Sequence, residues 1–181
     1  ITGKIWMDRN LGASQAATSR TDANSYGDLY QWGRRSDGHQ CRTSGVTSIL
    51  SSVDQPAHGD FILSTSDWRS SQNTNLWQGV NGVNNPCPSG YRLPSETELN
   101  AERSSWSSNN STGAFDSPLK FTVAGDRDDN TASLNYVGNH GFYWSSTVSS
   151  TNSIPVIFSV SYQSMAPHAR AYGFSVRCLK D

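Results

Sequence analysis

The sequence predicts an α+β domain, on three observations. Helix signals come early in the chain, strand-like runs fill the stretch after Phe115, and the last three runs follow one another across short turns. Short connections between strands predict antiparallel pairing, and helices segregated from strands predict α+β rather than alternating α/β order. The opening Lys4-Ile5-Trp6-Met7 reads as a short strand with Ile5 and Met7 on one face. Tyr26, Leu29, Tyr30 and Gly33 recur at i, i+3, i+4 and i+7, which predicts a helix over about 26–35, N-capped by Ser25 and ending before Asp37-Gly38. From His39 to about Asn85 neither period persists, and long surface loops are expected. Ser95 and Glu98 then form an S-x-x-E capping box, predicting a helix over about 96–105 with Leu99 and Arg103 or Trp106 inward. Leu119 to Ala124 alternates Leu119, Phe121 and Val123 with Lys120, Thr122 and Ala124, as a half-buried strand does. Further strands are expected at 142–148, 154–162 and 172–179, and no internal repeat is visible.

The chain's 181 residues suit one domain, 1–181, long enough to bury a core. Only 16% of residues are charged while 10% are aromatic, so Ser, Asn and Thr keep the surface wet and the rings supply the core. Such a composition resembles that of secreted and cell-surface bacterial domains. A net charge of −1 with no Lys/Arg stripe excludes nucleic acid as a partner. No run approaches the ~18 apolar residues of a membrane span, so membrane insertion is not expected. The chain opens at Ile1 without a signal-peptide pattern, which reads as a domain excised from a larger protein. Cys41, Cys87 and Cys178 lack zinc-ligand spacing, and an odd count allows one disulfide in any of three pairings plus a free thiol.

Several phrases together carry a family likeness: Ile5-Trp6-Met7-Asp8-Arg9-Asn10-Leu11-Gly12, Tyr26-Gly27-Asp28-Leu29-Tyr30-Gln31-Trp32-Gly33-Arg34, Cys87-Pro88-Ser89-Gly90-Tyr91-Arg92-Leu93-Pro94, Tyr143-Trp144-Ser145-Ser146 and Gly173-Phe174-Ser175-Val176-Arg177-Cys178. In this order they resemble the Fibrobacter succinogenes major paralogous domain family across essentially the whole chain. The resemblance implies an extracellular or surface-anchored module. It also implies a fold similar to C-type lectins and the formylglycine-generating enzymes, with two helices, a small antiparallel sheet and long loops. It is similar to the calcium-dependent peptide-binding domains of giant RTX adhesins, which hold a free C-terminal segment of a partner surface protein. Other relatives are suspected of binding glycans. The two cysteine-bearing phrases imply a Cys87–Cys178 disulfide, closing a loop of ~90 residues worth roughly 4 kcal/mol in the chain-entropy account. Cys41 stands outside these phrases.

Among candidate ligand sites, Gly125-Asp126-Arg127-Asp128-Asp129-Asn130-Thr131 is the richest in oxygens. Ca²⁺ wants six to eight oxygen ligands, so Asp126, Asp128, Asp129 and Asn130 are the candidate metal residues, with Asn135 and Asn139 close by. The EF-hand spacing is absent, and a turn capped by its own Asp is the competing reading. A second loop, Asn81-Gly82-Val83-Asn84-Asn85, reads as plain turn chemistry. Trp68, Trp77 and Trp106 fall in or beside loops, where an exposed indole stacks on a sugar or covers a peptide side chain; a core role competes for each. Trp6, Trp32 and Trp144 sit on regular elements and read as core. Arg170 and Arg177 are candidate partners for a ligand carboxylate. Glu98 is explained by its cap, and His39, His58, His140 and His168 are scattered with no nucleophile motif beside them, so no enzyme is expected. The expectation is a monomeric, calcium-dependent module of a bacterial adhesin that binds peptide. A carbohydrate-binding module and a spacer without ligand are the alternatives.

Overall fold

The computed structural model describes residues 3–181. In chain order the elements are β1 (Tyr30–Gln31), β2 (Val46–Thr47), β3 (Phe61–Ile62), β4 (Tyr91–Arg92), α1 (Glu96–Arg103), α2 (Ser111–Asp116), β5 (Asp126–Arg127), β6 (Leu134–Asn135), β7 (Gly141–Tyr143), β8 (Val148–Ser149), β9 (Asn152–Ser153), β10 (Val156–Phe158), β11 (Gln163–Met165), β12 (His168–Ala169), β13 (Gly173–Phe174) and β14 (Leu179–Lys180). The strands form a four-stranded sheet ordered β1-β13-β5-β6, three-stranded sheets β11-β10-β7 and β12-β9-β8, and the pairs β14-β4 and β2-β3. Only β2-β3 is parallel among them. The result is a small mixed fold, α+β in class, of two helices and several small antiparallel sheets joined by long loops. No helix among the described residues is long and apolar enough to cross a membrane.

Helix α1 forms where the capping box predicts it. Ser95 accepts from the Glu98 N–H, and the Glu98 carboxylate accepts from the Ser95 N–H. Leu99 and Glu102 are the buried face, and Trp106 packs just beyond the helix end. Helix α2, which no sequence pattern announced, is started by Asn110 accepting from the Thr112 and Gly113 N–H groups.

The expected helix over 26–35 is absent. A 3₁₀ turn at Ala23–Ser25, capped by Asp22, precedes it, and Tyr30–Gln31 is instead a strand paired with Gly173–Phe174. Gly27 and Gly33 hold φ of 67° and 86°, in the left-handed region that ends a right-handed helix. Leu29 through Arg34 is buried on every side, so the spacing of its apolar residues marks no single face. Gln31 is enclosed too, its amide donating to the Ile62 and Ala171 carbonyls. The strand expected at 119–124 forms no ladder either. Phe121 through Ala124 is wholly buried, and the N–H groups of Phe121, Val123 and Thr122 donate in turn to the Ala114 carbonyl, the Arg20 carbonyl and the Tyr143 hydroxyl. At the N-terminal side, Trp6 makes a single bridge to Leu179, Met7 packs inward and Ile5 is exposed.

Two apolar clusters form the interior. One holds Tyr30, Trp32, Trp77, Phe142, Trp144, Phe174 and Val176; the other Leu99, Trp106, Phe121, Val123, Tyr143 and Phe158. Trp68 packs with Ile62 and Leu76. Trp68, Trp77 and Trp106 are therefore interior residues, at 0%, 0% and 8% exposure, and not a binding face. Their role is to hold loops in place. The indole N–H of Trp68 donates to the Trp32 carbonyl, and that of Trp77 to the Arg34 and Asn84 carbonyls. For Trp68 and Trp77 the partner of the one indole donor is loop backbone, whereas the Trp106 N–H has no partner among the described residues and its ring packs against Phe121 and Phe158. The Cys87–Cys178 disulfide is formed, and Cys41 is an exposed free thiol.

Candidate functional site

A cleft of about 450 Å³ opens where the four-stranded sheet meets the β11-β10-β7 sheet. Antiparallel pairing sets Asp126 opposite Asn135 and Phe142 opposite Ile157, and all four line the cleft. Tyr136, His140, Tyr162, His168, Tyr172 and Phe174 complete most of its wall. The rings are contiguous: Tyr136 to His140 is 4.6 Å between centroids, Phe142 to Phe174 is 5.0 Å and Tyr172 to Phe174 is 5.4 Å. These separations fall in the favourable range for stacked and tilted aromatic pairs. Tyr136 and Tyr162 stand exposed at the rim, and Leu134, Val137 and Val160 beside them in the chain are exposed as well. Tyr136 also holds a φ of 55°, a conformation a bulky residue rarely adopts outside constrained sites.

Asp126 is the floor, only 3% exposed, and its Oδ1 has no hydrogen-bond partner. Burial, and then the charge of Asp128, pushes its carboxyl up to about 7. His140 Nδ1 is a second buried atom of the cleft without a partner, and burial holds that imidazole below its ordinary value. The turn that places Asp126 depends on Gly125. At φ 73° with the Asn135 carbonyl and Val137 against it, this position has no room for a Cβ. No Lys or Arg lines the cleft among the described residues.

The four candidate metal residues divide between the cleft and its surroundings. Asp126 and Asp128 face the cleft, whereas Asp129 and Asn130 do not line it. Asp128 spends Oδ1 on its own turn, accepting from the Asn130 N–H, the Thr131 N–H and the Thr131 hydroxyl. Burial opposes ionisation of Asp128, but these donors outweigh it and leave the carboxyl below its ordinary value. Asp129 is buried against Tyr172, whose hydroxyl is raised to about 12 by burial and by that carboxylate. No three His, Cys, Asp or Glu side chains among the described residues form a metal-holding group. Asn139 is exposed and does not line the cleft.

Arg170 and Arg177, the candidate carboxylate partners, are enclosed. Arg170 stacks over Trp32 at 4.6 Å and pairs with Asp67 at 3.4 Å. Arg177 lies over Phe121 and donates twice to Asn10 Oδ1. Both are at most 2% exposed, which leaves them structural.

Sequence reasoning missed the aromatic wall. Tyr136, Phe142, Tyr162, Tyr172 and Phe174 lie in four separate stretches of text, and only strand register juxtaposes them. The one local signal was oxygen richness at 125–131, which did point to Asp126 and Asp128. Against models of known protein families, curated proteins and solved structures, the chain finds no match.

Proposed function

We propose that this chain is a non-catalytic ligand-binding module of a bacterial surface protein, C-type-lectin-like in fold, whose cleft holds an extended peptide segment of a partner. The observation that carries the reading is the cleft's aromatic wall, bordered by strands that pair on one side only. Asn135 of β6, Ser164 of β11 and His168 of β12 all line it, and each of those strands is the outer member of its sheet. Unpaired strand edges accept an added strand, so a peptide gains backbone hydrogen bonds there while its side chains enter the ring-lined walls. A sugar would use the rings but has no use for the edges, which favours peptide. The absence of a cationic side chain in the cleft leaves a terminal carboxylate without a direct partner, so an internal segment fits better than a free C-terminus.

The same geometry supports binding over catalysis. Ser164, His168 and Asp126 share the cleft, yet His168 Nδ1 sits 3.1 Å from the Ala166 carbonyl and no hydrogen bond joins the three. Nucleophilic catalysis requires base and nucleophile within such reach.

The test is a hexapeptide array and a glycan array, each probed with the wild type and with Tyr162→Ala. Tyr162 is exposed, so its truncation leaves the fold intact. A discrete set of retained peptides, each weakened about tenfold by Tyr162→Ala, is expected, since one aromatic contact is worth about 1 kcal/mol or more. Binding to glycans alone, or peptide binding indifferent to Tyr162→Ala, would sink the reading.

A further inference from the structure

We propose that the group anchoring the peptide is an organic cation, the ammonium of a lysine or the guanidinium of an arginine, received between the ring walls with Asp126 and Asp128 behind it. This rests on the reading of the cleft as a peptide site and names the chemistry that site selects.

Charge is the first argument. Two carboxylates line the cleft and no Lys or Arg answers them from within it. Arginines around the cleft are already spent on other partners, Arg42 among them on the Gly27 and Ala124 carbonyls. Arg127, next in sequence to Asp126, points its guanidinium to the Ala132, Cys41 and Ser44 carbonyls and the Ser44 hydroxyl. Arg170 is held by Asp67 and the Ser150 carbonyl. A buried carboxylate without a partner is costly, and Asp126, at 3% exposure with Oδ1 unpartnered, is in that position. An incoming cation would supply the missing partner.

The walls decide which kind of cation. A calcium ion demands six to eight oxygens, and here much of the surface around the carboxylates is ring face and edge. Aromatic faces attract weakly hydrated organic cations through their quadrupole, by about 0.5–2 kcal/mol per contact, and the gain grows as water is removed. Tyr136, Tyr162 and Tyr172 present such rings within one cavity, with Phe142 and Phe174 buried in stacks behind them. A cleft of about 450 Å³ has room for a side chain with an aliphatic stem, which lies on the rim while the charged head turns to the carboxylates.

The experiment is an NMR titration of the isotope-labelled chain at low ionic strength with four probes. These are the end-blocked pentapeptides Gly-Gly-Lys-Gly-Gly and Gly-Gly-Arg-Gly-Gly, the same peptide with norleucine at the centre, and calcium chloride alone. The expected result is that the lysine or arginine peptide shifts the resonances of Tyr136, Tyr162 and Tyr172, with norleucine at least about tenfold weaker. Which of the two cationic peptides binds more tightly identifies the head group. Asp126→Asn and Asp128→Asn are each expected to weaken the cationic peptide by about tenfold while resonances outside the cleft stay in place. If norleucine binds as well as lysine, the cation is refuted and the peptide site survives. Calcium alone shifting the same resonances, with peptides silent until it is added, overturns the organic cation in favour of a metal. If no probe perturbs the cleft, the cation falls, and the peptide reading is decided separately by the array.

Discussion

His39 shows how a single buried group writes itself into the stability of the chain. It is fully enclosed, its Nδ1 lies 2.6 Å from Asp37 and its Nε2 accepts from the Gln31 N–H. Burial outweighs the Asp37 contact and lowers the imidazole to about 4. The unfolded chain then binds a proton that the folded chain refuses between about pH 6.5 and 4, so His39 removes stability as pH falls through that window. Asp126 acts in the opposite sense. Its folded carboxyl takes up a proton near 7 while the unfolded one waits until about 4, so its contribution improves as pH falls. The two slopes oppose one another in the wild type. In Asp126→Asn, thermal melts are expected to show higher stability than wild type at pH 8 and a clear decline from pH 6.5 to 4. A variant whose melting profile runs parallel to wild type across that range would remove this account. None of these environments is local in sequence: Trp68 and Arg170 read as surface candidates because the text around them is polar, and only the folded chain shows that loops close over them.

At the scale of elements, what was legible is what is local. The capping box at Ser95 and Glu98 needs four residues and no tertiary partner, and α1 formed where it predicted. Tertiary contacts then reinforce it: Arg92 donates to both Glu98 oxygens, holding that carboxyl down to about 2. Ser95→Ala is expected to cost about 1 kcal/mol in denaturant unfolding, because Glu98 still caps the Ser95 N–H and only one of the two reciprocal bonds is lost. A cost near zero would mean the Arg92 contact alone fixes the helix start. The segment 26–35 failed for the opposite reason. Apolar spacing reports a helix only when one side meets water, and this strand is enclosed on all sides. Helix α2 escaped notice because its six residues, with a central glycine, carry too little periodicity to be seen.

Over the whole molecule, most strands are two residues long, so ladder hydrogen bonds alone cannot hold the sheets in register. Side chains reaching across loops do much of that work, through the indole donors and the three buried arginines stacked on Trp68, Trp32 and Phe121. The fold class was readable from the order of signals, but the division into several small sheets was not, since register between distant strands leaves no mark in local text. The Cys87–Cys178 bridge spans 91 residues of sequence and ties the last strand to the loop before β4. Removing it in the Cys87→Ala, Cys178→Ala double variant is expected to lower stability by roughly 4 kcal/mol and the melting temperature by about 10 °C. An unchanged melting temperature would show that packing alone holds the two segments together.

The two ends of the chain lie side by side: the Lys180 N–H donates to the Ile5 carbonyl, Trp6 bridges Leu179, and the Met7 N–H donates to the Cys178 carbonyl. A tensile load applied through both ends therefore meets these contacts one after another, as a zipper is opened, and not all at once in shear. Peeling stops early on one side, because at Cys178 the load passes through a covalent link to Cys87. The residues of the cleft lie inside the segment between those two cysteines. On the C-terminal side such a module can therefore yield only a few residues of slack before the covalent link carries the load.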